Sequence, residues 1–361
     1  MIKVLLLAFL LTPVAYAQTY YVTGGGSHNN DCLSWKTACS VKGINPLAKA
    51  GDTVIIRDSG DYVEWNSNLK LVNGGTAKKH ITIKAEGNIA FINREFGWAY
   101  INTPYVDIIN IGCKGGVGSC VSINSTNHVT VTGMVAMGMF RGVDIRKSSD
   151  NTVQFSAFIG NREGVYISHD SNRNTLKANL VRDNGHGEKG DRCGLCVGEK
   201  SAGVDNTVTR NIFFKNGGLN SDNAFAAYDA PRTTVTHNYF EANHRGALMV
   251  TQYSFDSFVA WNTIIGNGTS CKTESNISNL SVRNKSDRTI VLENVLKNNC
   301  VAHGNRWGDK SPRCDMDVIG WGDPQRPTEN ISFIRNTVEG TMNGKAFCIN
   351  EKTLTNGIVI Y

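Results

Sequence analysis

The fold of this chain follows from a phrase that occurs three times between residues 206 and 267. The copies read Asn206-Thr-Val-Thr-Arg-Asn211-Ile-Phe-Phe-Lys-Asn216, Thr233-Thr-Val-Thr-His-Asn238-Tyr-Phe-Glu-Ala-Asn243 and Ser257-Phe-Val-Ala-Trp-Asn262-Thr-Ile-Ile-Gly-Asn267. Each copy has a short, largely β-branched run, an Asn, an apolar pair and a second Asn five residues after the first. Further copies lie on both sides, and the first Asn position falls at Ser156, Asn179, Asn211, Asn238, Asn262, Asn294 and Asn336.

A constant phrase at a variable period is typical of a solenoid, in which loops of different length join equivalent coils. Val, Ile, Thr and Phe alternate with polar residues, and helical spacing is absent, so the phrase predicts strands. We therefore expect an all-β fold, a right-handed parallel β-helix with three short strands and three turns per coil. Asn suits the turns because it tolerates the left-handed conformation, and its amides are expected to hydrogen-bond from coil to coil in two columns.

Residues 1–17 have the form of a signal peptide, with Lys3, an apolar run from Val4 to Leu11 and the small-residue site Ala15-Tyr-Ala17. Cleavage near Ala17-Gln18 would export the protein to the periplasm or the extracellular space. The apolar run is too short to span a membrane, and no later run qualifies. Residues 18–361 contain no linker and are predicted to form one β-helix domain, with a short helical N-terminal cap at about residues 34–50 that covers the first coil.

The ten cysteines are expected to form disulfides, because the chain is exported. Local pairing joins Cys32 to Cys39, Cys113 to Cys120 and Cys193 to Cys196, and the remaining pairs are predicted as Cys271–Cys300 and Cys314–Cys348. The Cys193-Gly-Leu-Cys196 spacing also occurs in metal and redox sites, although no second Cys or His pair frames it.

The formal net charge of +6 favours anionic partners. Nucleic acid is a poor candidate, since the chain has no basic block and no basic stripe with interleaved aromatic residues. An acidic polysaccharide fits better, and a merely solvated basic surface is the alternative. The oligomeric state is not predicted.

A second strand precedes each phrase, as in Gly164-Val-Tyr-Ile-Ser168, and its side chains alternate between the two faces. Those expected to point inward are Val143, Ile145, Val165, Ile167, Leu195, Val197, Phe225 and Ala227. Those expected to point outward are Asp144, Arg146, Tyr166, Ser168, Cys196 and Tyr228. The turns that flank this sheet are rich in titratable groups, so we place the functional site there.

Cleavage of a uronate polymer by β-elimination requires positive charge on the sugar carboxylate and a base for the C5 proton. Arg binds carboxylates through two parallel hydrogen bonds, and Lys, Tyr or His can act as base when its pKa is shifted towards the working pH. The flanking turns supply all of these groups.

Two stretches resemble known families. Gly51-Asp-Thr-Val, Gly60-Asp-Tyr-Val-Glu64 and His80-Ile-Thr-Ile-Lys84 resemble the N-terminal coils of secreted right-handed β-helix carbohydrate enzymes. Asp191-Arg-Cys-Gly-Leu-Cys-Val-Gly-Glu-Lys200, followed by Ser221-Asp222-Asn223-Ala-Phe225, looks like the motifs of calcium-dependent β-helix pectate lyases. That match implies Lys200 as Brønsted base and Asp191, Asp222 and Asn223 as calcium ligands. Asn223 and Ala226 stand where the family has carboxylates, and a metal-free site with Lys200 or Tyr228 as base is equally allowed.

We therefore predict a polysaccharide lyase. The predicted catalytic residues are Lys200, Arg192, Arg245, Tyr228 and His169, and the predicted substrate-binding residues are Tyr166, Arg146, Lys189, His244 and Arg232. A non-catalytic polysaccharide-binding or adhesin-type β-helix is the second hypothesis. A uronan epimerase, whose Asp-Pro-His-Asp turn is similar to His169-Asp170, or a glycoside hydrolase that uses Asp144, Glu163 or Asp170, comes third.

Overall fold

The computed structural model of the 361-residue chain describes residues 17–57, 68–92, 96–185, 193–198, 203–217, 223–244, 246–268, 278–300, 314–319, 328–342, 345–349 and 359–360. In this part of the chain the helix is confined to Val41–Ile44, within the predicted N-terminal cap. No helix among the described residues is long and apolar enough to cross a membrane.

Three parallel sheets wind around one core. Sheet A consists of the strands Thr19–Ser27, Thr53–Ile56, Ile81–Ala85, Val106–Ile109, Val129–Thr132, Thr152–Gln154, Thr175–Lys177, Thr207–Thr209, Thr234–Thr236, Phe258–Ala260, Ile290–Leu292, Ser332–Ile334 and Val359–Ile360. Sheet B consists of Ala90–Ile92, Ala157–Ile159, Leu180–Arg182, Ile212–Phe214, Tyr239–Glu241, Thr263–Ile265, Val295–Lys297 and Thr337–Glu339. Sheet C consists of Ala99–Ile101, Glu163–Ser168, Leu195–Gly198, Phe225–Tyr228, Leu248–Thr251, Leu280–Arg283, Cys314–Ile319 and Lys345–Ile349. The long strands Ile111–Asn124 and Val135–Arg146 run through the corner between sheets B and C and belong to both.

Equivalent residues of successive coils pair in register. In sheet A, for example, Val208 pairs with Val235 and Val235 with Val259. The inward side chains are fully buried in one continuous core, which includes the stacked rings of Phe213 and Phe240. The outer faces remain polar, so each strand alternates as a half-buried strand should. The chain is thus a parallel β-helix, as predicted.

Buried Asn side chains stack at the corners. At the corner between sheets A and B, the Asn211 Nδ2 donates to Asn238 Oδ1 (3.0 Å), and the same pattern runs from Asn179 to Asn336. A second column runs from Asn161 to Asn299 between sheets B and C. These are the two predicted columns. A third, shorter one joins Asn151, Asn174 and Asn206.

The expected reason for Asn at the corners is wrong in one respect. The left-handed conformation belongs to the residue before each Asn, such as Arg210 (φ 57°), His237 (φ 56°) and Trp261 (φ 55°). These preceding side chains project outward. The Asn side chain instead turns inward, where Asn211 Nδ2 also donates to the Leu176 carbonyl (3.0 Å). Asn is needed at the corner for its amide, because buried backbone groups require partners.

An alternating ion-pair ladder lies at the corner between sheets C and A. Its members, one per coil, are Asp150, Arg173, Asp205, Arg232, Asp256 and Arg288, and each has a left-handed backbone. Arg173 pairs with Asp150 (2.7 Å), Arg232 with Asp205 (2.6 Å) and Arg288 with Asp256 (2.6 Å). The charges alternate from coil to coil. Each of the first two arginines therefore also attracts the aspartate of the following coil, so the interaction continues along the ladder.

Four predicted disulfides are present: Cys32–Cys39, Cys113–Cys120, Cys193–Cys196 and Cys314–Cys348. Cys300 is also disulfide-bonded, and its predicted partner Cys271 lies outside the described residues. Several disulfides in one chain fit a protein that works outside the cytoplasm. The Gly60-Asp-Tyr-Val-Glu64 stretch, and all of the predicted signal peptide (residues 1–17) except Ala17, also lie outside the described residues.

Candidate functional site

The outer face of sheet C carries two rows of side chains. The inner row, towards the middle of the strands, contains Asp144, Tyr166, Cys196, Ala226, Met249, Ser281 and Asp317, which pair in register. The edge row, two residues later in each strand, contains Arg146, Ser168, Gly198, Tyr228, Thr251 and Arg283. The inward and outward assignments made from alternation are confirmed.

A buried charge cluster occupies the N-terminal end of these rows. Arg141 Nε donates to Glu163 Oε2 (2.5 Å), and Arg141 also approaches Asp144 (3.5 Å). Arg146 Nε donates to Asp144 Oδ1 (3.0 Å). Arg141, Asp144 and Glu163 are all less than 10% exposed, whereas the Arg146 side chain is 39% exposed. Arg146 is therefore held by a buried carboxylate while its side chain stays partly exposed.

The guanidinium of Arg141 lies 3.7 Å above the ring of Tyr166 and links this cluster to an apolar middle section. That section consists of Tyr166, Cys193, Cys196, Ala226 and Met249, with Tyr228 packed against it. Burial lowers the pKa of Arg141, but the charges of Glu163 and Asp144 outweigh it and raise that pKa overall. Arg141 is thus a permanent cation inside the site.

A second buried polar cluster lies at the C-terminal end of the rows. Both Ser278 and Ser281 donate to Asp317, which is 1% exposed. Arg283 donates from Nε to Ser281 Oγ, and its Nη2 is 3.5 Å from Asp317. The two ends of sheet C therefore share one arrangement, in which a buried aspartate of the inner row holds an arginine of the edge row.

Titratable residues follow the edge row in the turns. Ser168 Oγ lies 2.8 Å from His169 Nδ1, within hydrogen-bond distance. His169, Asp170 and Asp229 have left-handed backbones, and Asp229 directly follows Tyr228. Burial, and then the charge of Asp170, raise the pKa of the Asp229 carboxyl. A carboxyl that is easier to protonate than usual, and that follows a phenol directly in the chain, is suited to proton transfer.

The structure brings together four of the predicted residues, Arg146, Tyr166, Tyr228 and His169, on the outer face of sheet C or in the turn that follows it. His244 lies at the opposite edge, after the sheet B strand Tyr239–Glu241. Arg232 is not on this face, since it belongs to the ion-pair ladder. Asn223 is half-buried just before Phe225–Tyr228. The predicted residues outside the described part of the chain are Lys200, Arg192, Arg245, Lys189, Asp191 and Asp222.

Five residues of the two clusters were not predicted as site residues: Arg141, Ser278, Ser281, Arg283 and Asp317. Arg283 was predictable from the sequence, since Asn279-Leu-Ser-Val-Arg283 has the same alternation as Gly142-Val-Asp-Ile-Arg146. Asp317 falls in a coil where the Asn phrase is degraded, so its register could not be read from the sequence.

A protein-family comparison matches residues 51–312 to the family described as periplasmic copper-binding protein (NosD). No curated protein matches the chain.

Solved structures of similar fold include three carbohydrate-active enzymes. An alginate lyase from Paenibacillus sp. str. FPU-7 has a TM-score of 0.58 at 16% identity, over 94% of this chain and 99% of that one. The A-module of the mannuronan C-5 epimerase AlgE4 from Azotobacter vinelandii has a TM-score of 0.54 at 15% identity, over 96% and 87%. DFA-IIIase from Arthrobacter chlorophenolicus A6 has a TM-score of 0.60 at 12% identity, over 85% and 83%. At such identities these likenesses establish the fold alone.

Proposed function

This chain belongs to the NosD family, and from that premise we propose that it is an exported polysaccharide lyase that cleaves a uronate-containing, anionic polysaccharide by β-elimination. The family description places its members in the periplasm, which agrees with the disulfides of this chain. In the reaction a base takes the C5 proton, the C4–O bond breaks, the leaving oxygen takes up a proton, and a C4=C5 double bond remains.

The observation that carries the proposal is the edge row of sheet C. Arg146 presents a fixed guanidinium there, and Tyr228, His169 and Asp229 supply groups for proton transfer. Arg146 and Tyr228 are three coils apart, or about 14 Å at the usual spacing between strands. They would therefore contact different sugars of one polymer. Lys200 as base, and Arg192 and Arg245 on the carboxylate of the reacting sugar, remain part of the proposal.

Structural neighbours support the substrate class only indirectly. One is named as an alginate lyase and another as a mannuronan epimerase, and both substrates are uronate polymers. An acidic polysaccharide would also suit the formal charge of +6.

Copper, which the family description names, does not fit the described residues. In this part of the chain no group of three or more His, Cys, Asp or Glu side chains is placed to hold a metal ion. The described cysteines are all in disulfides, so no thiolate is available as a ligand. Calcium, with Asp191, Asp222 and Asn223 as candidate ligands, remains a proposal that a chelator can test.

The proposed reaction is tested by mixing the purified protein with pectate, alginate and a glycosaminoglycan. We expect absorbance at the unsaturated-uronate band to rise with one of them. Lys200→Ala and Tyr228→Phe should each slow this rise by about a hundredfold or more, because each removes a proton-transfer group. Tyr105→Phe, at a remote corner of the helix, is the control. A chelator that abolishes the rise, with recovery on addition of Ca²⁺, would support the calcium site.

Two outcomes of this experiment would contradict the proposal. Full activity of Lys200→Ala would show that the base is a different residue. Retention of the polymer without any absorbance change would favour a non-catalytic binding protein.

A glycoside hydrolase is the second candidate, because burial, and then the charge of Asp170, raise the pKa of Asp229. The two residues lie two coils apart, at about 10 Å, near the upper end of the carboxylate separation of inverting hydrolases. New reducing ends without unsaturated products, lost in both Asp170→Asn and Asp229→Asn, would identify this activity.

A further inference from the structure

Sheet B is an exception to the generally polar outer face of this β-helix. Its outward side chains stand at the start and at the end of each three-residue strand, because the middle residue points into the core. In four successive coils these outward side chains are mostly apolar or aromatic: Ala157, Ile159, Leu180, Ile212, Phe214 and Tyr239. The other two outward side chains of these coils are Arg182 and Glu241.

The coil does not require apolar side chains at these positions. In the same four coils, the equivalent positions of sheet A are all polar: Thr152, Gln154, Thr175, Lys177, Thr207, Thr209, Thr234 and Thr236. The sheet A strands pair in the same parallel register as those of sheet B. On sheet B, by contrast, Ile212 is 48% exposed. An exposed apolar patch with a few charges is typical of a surface that contacts another protein.

The two charged residues of this patch lie on either side of the strand Ile212–Phe214. Arg182, Phe214 and Glu241 occupy the same row in three successive coils. The Arg182 side chain is 48% exposed, and it pairs with the adjacent Asp183 (2.7 Å). Such a surface pair contributes little to stability, so the guanidinium can take another partner at little cost. The patch therefore has a positive group one coil before its central strand and a negative group one coil after it.

We propose that sheet B binds a second copy of this chain, with a two-fold axis along the strand Ile212–Phe214. This axis reverses the order of the coils, so the two β-helices run antiparallel and each row of side chains faces the same row of the second copy. Arg182 then faces Glu241 of the second copy, and the symmetry produces this pair twice. Packed sheets lie about 10 Å apart, which both side chains together can span.

The apolar side chains fit the same arrangement. Ile212 and Phe214 meet their own counterparts at the axis, between the two ion pairs. One coil away from the axis, Leu180 meets Tyr239 of the second copy. The contact thus has an apolar centre with a pair of opposite charges on each side.

Charge selects this register over the neighbouring ones. With the axis one coil later, Glu241 would face itself and Arg182 would face Lys297 of the second copy. With the axis one coil earlier, Arg182 would face itself. Both alternatives place like charges together in a desolvated contact, which is unfavourable.

The edges of the contact are basic at its central coil. Arg210 and Lys215, at the two corners of this coil, would lie near their own counterparts. Both side chains are exposed, so their charged ends can extend into solvent. The five coils from Ala157 to Thr263 give a contact only about 19 Å long, so we expect a reversible dimer rather than a permanent one. Sheet C lies outside this contact, and the inference does not depend on the proposed reaction.

The experiment measures the dissociation constant of the dimer by sedimentation velocity, with the purified protein at about 1 to 100 µM. Ile212→Glu should abolish the dimer, because it would bury two unpaired carboxylates at the axis. Arg182→Glu should weaken the dimer about tenfold or more, because each Glu241 would then face a second carboxylate. The double variant Arg182→Glu with Glu241→Arg restores both pairs with reversed sign and should recover most of the affinity. Lys177→Glu makes the same charge change on sheet A of the same coil, and this matched control should dimerise like the wild type.

Three outcomes would overturn the inference. The first is a wild type that stays monomeric over the whole range of concentration. The second is a dimer that persists in Ile212→Glu, since the contact would then lie on a different surface. The third is a double variant that dimerises no better than Arg182→Glu, since Arg182 and Glu241 would then not face each other. Near-ultraviolet circular dichroism confirms that each variant is folded.

Discussion

Asp315 is a buried acid whose surroundings disfavour its charged form. It is 0% exposed, and its Oδ2 accepts a hydrogen bond from Thr341 (3.1 Å). Its Oδ1 has no partner among the described residues, and the same is true of the neighbouring Asn279 Oδ1. Burial raises the pKa of Asp315 to about 6, although hydrogen bonds from Thr341, Asn279 and Asn299 oppose the shift. Protonation of this carboxyl would remove the cost of keeping its charge away from water.

Asp315→Asn should therefore stabilise the protein at neutral pH. The folded-state pKa lies above the ordinary value of 3.8, so the wild type loses stability as pH rises from about 4 to about 6. The variant avoids this loss and should gain up to about 3 kcal/mol above pH 6, with the gain vanishing near pH 4. Denaturation midpoints across that range provide the measurement.

Asp31→Asn provides a control of opposite sign. The backbone N–H of Leu33 donates to Asp31 (2.9 Å) and holds the pKa of that exposed carboxyl below its usual value. This contribution to stability is present at neutral pH and is lost in acid. If Asp315→Asn is less stable than the wild type at pH 8, burial does not disfavour the Asp315 carboxylate and the prediction is wrong.

At the scale of the element, the Asn columns are what join one coil to the next. Asn211 Oδ1 accepts from the backbone N–H (2.9 Å) and the amide (3.0 Å) of Asn179. Asn211 Nδ2 donates to the Leu176 carbonyl and to Asn238. Each side chain therefore satisfies buried groups in the coils on both sides of its own.

Asn211→Ala should destabilise the protein by at least about 2 kcal/mol, because several buried polar groups lose their partners together. Asn29→Ala, in an exposed loop, should change the free energy of unfolding by no more than about 0.5 kcal/mol. Urea denaturation of both variants gives the comparison. Equal midpoints for the two would mean that water replaces the amide of Asn211.

The columns and the strands were predictable because every coil repeats them. Side chains of sheet C from residue 142 onward also followed from alternation, but Arg141 did not. The strand Val135–Arg146 continues through a corner, so alternation counted from Val143 gives the wrong direction for Arg141. The left-handed conformation of the residue before each Asn was not predicted either. The residues at this position differ in type from coil to coil, so the sequence carries no common signal for it.

At the scale of the whole molecule, the sequence predicts the β-helical coil but not the positions of the residues in the functional site. A solenoid is specified by what its coils share, whereas its site depends on where the coils differ. The turns that hold Lys200, Arg192 and Arg245 are such points of difference, and they have no repeat from which a position can be inferred. The ion-pair ladder is an intermediate case. Its alternating charges become visible only when coils of unequal length are aligned.

Removing one coil should harm this fold more than removing two. Deletion of residues 206–232 would place Asp205 next to Asp256, with two like charges in adjacent coils. Deletion of residues 206–256 would place Asp205 next to Arg288 and restore the alternation. We expect the longer deletion to have the higher thermal midpoint at low ionic strength, with the difference reduced by salt.

Asp205→Asn in the single-coil deletion tests the cause, since it removes one of the two facing charges. If that substitution does not raise the midpoint, core packing rather than charge limits the shortened helix.

The ion-pair ladder therefore favours changes in length by an even number of coils, because only these keep the corner charges alternating. The repeating unit of the ladder is a pair of coils, one with an aspartate at the corner and one with an arginine. Relatives that have lengthened or shortened in this region should differ by an even number of coils, or should carry a neutral residue at the seam where an odd one was gained or lost.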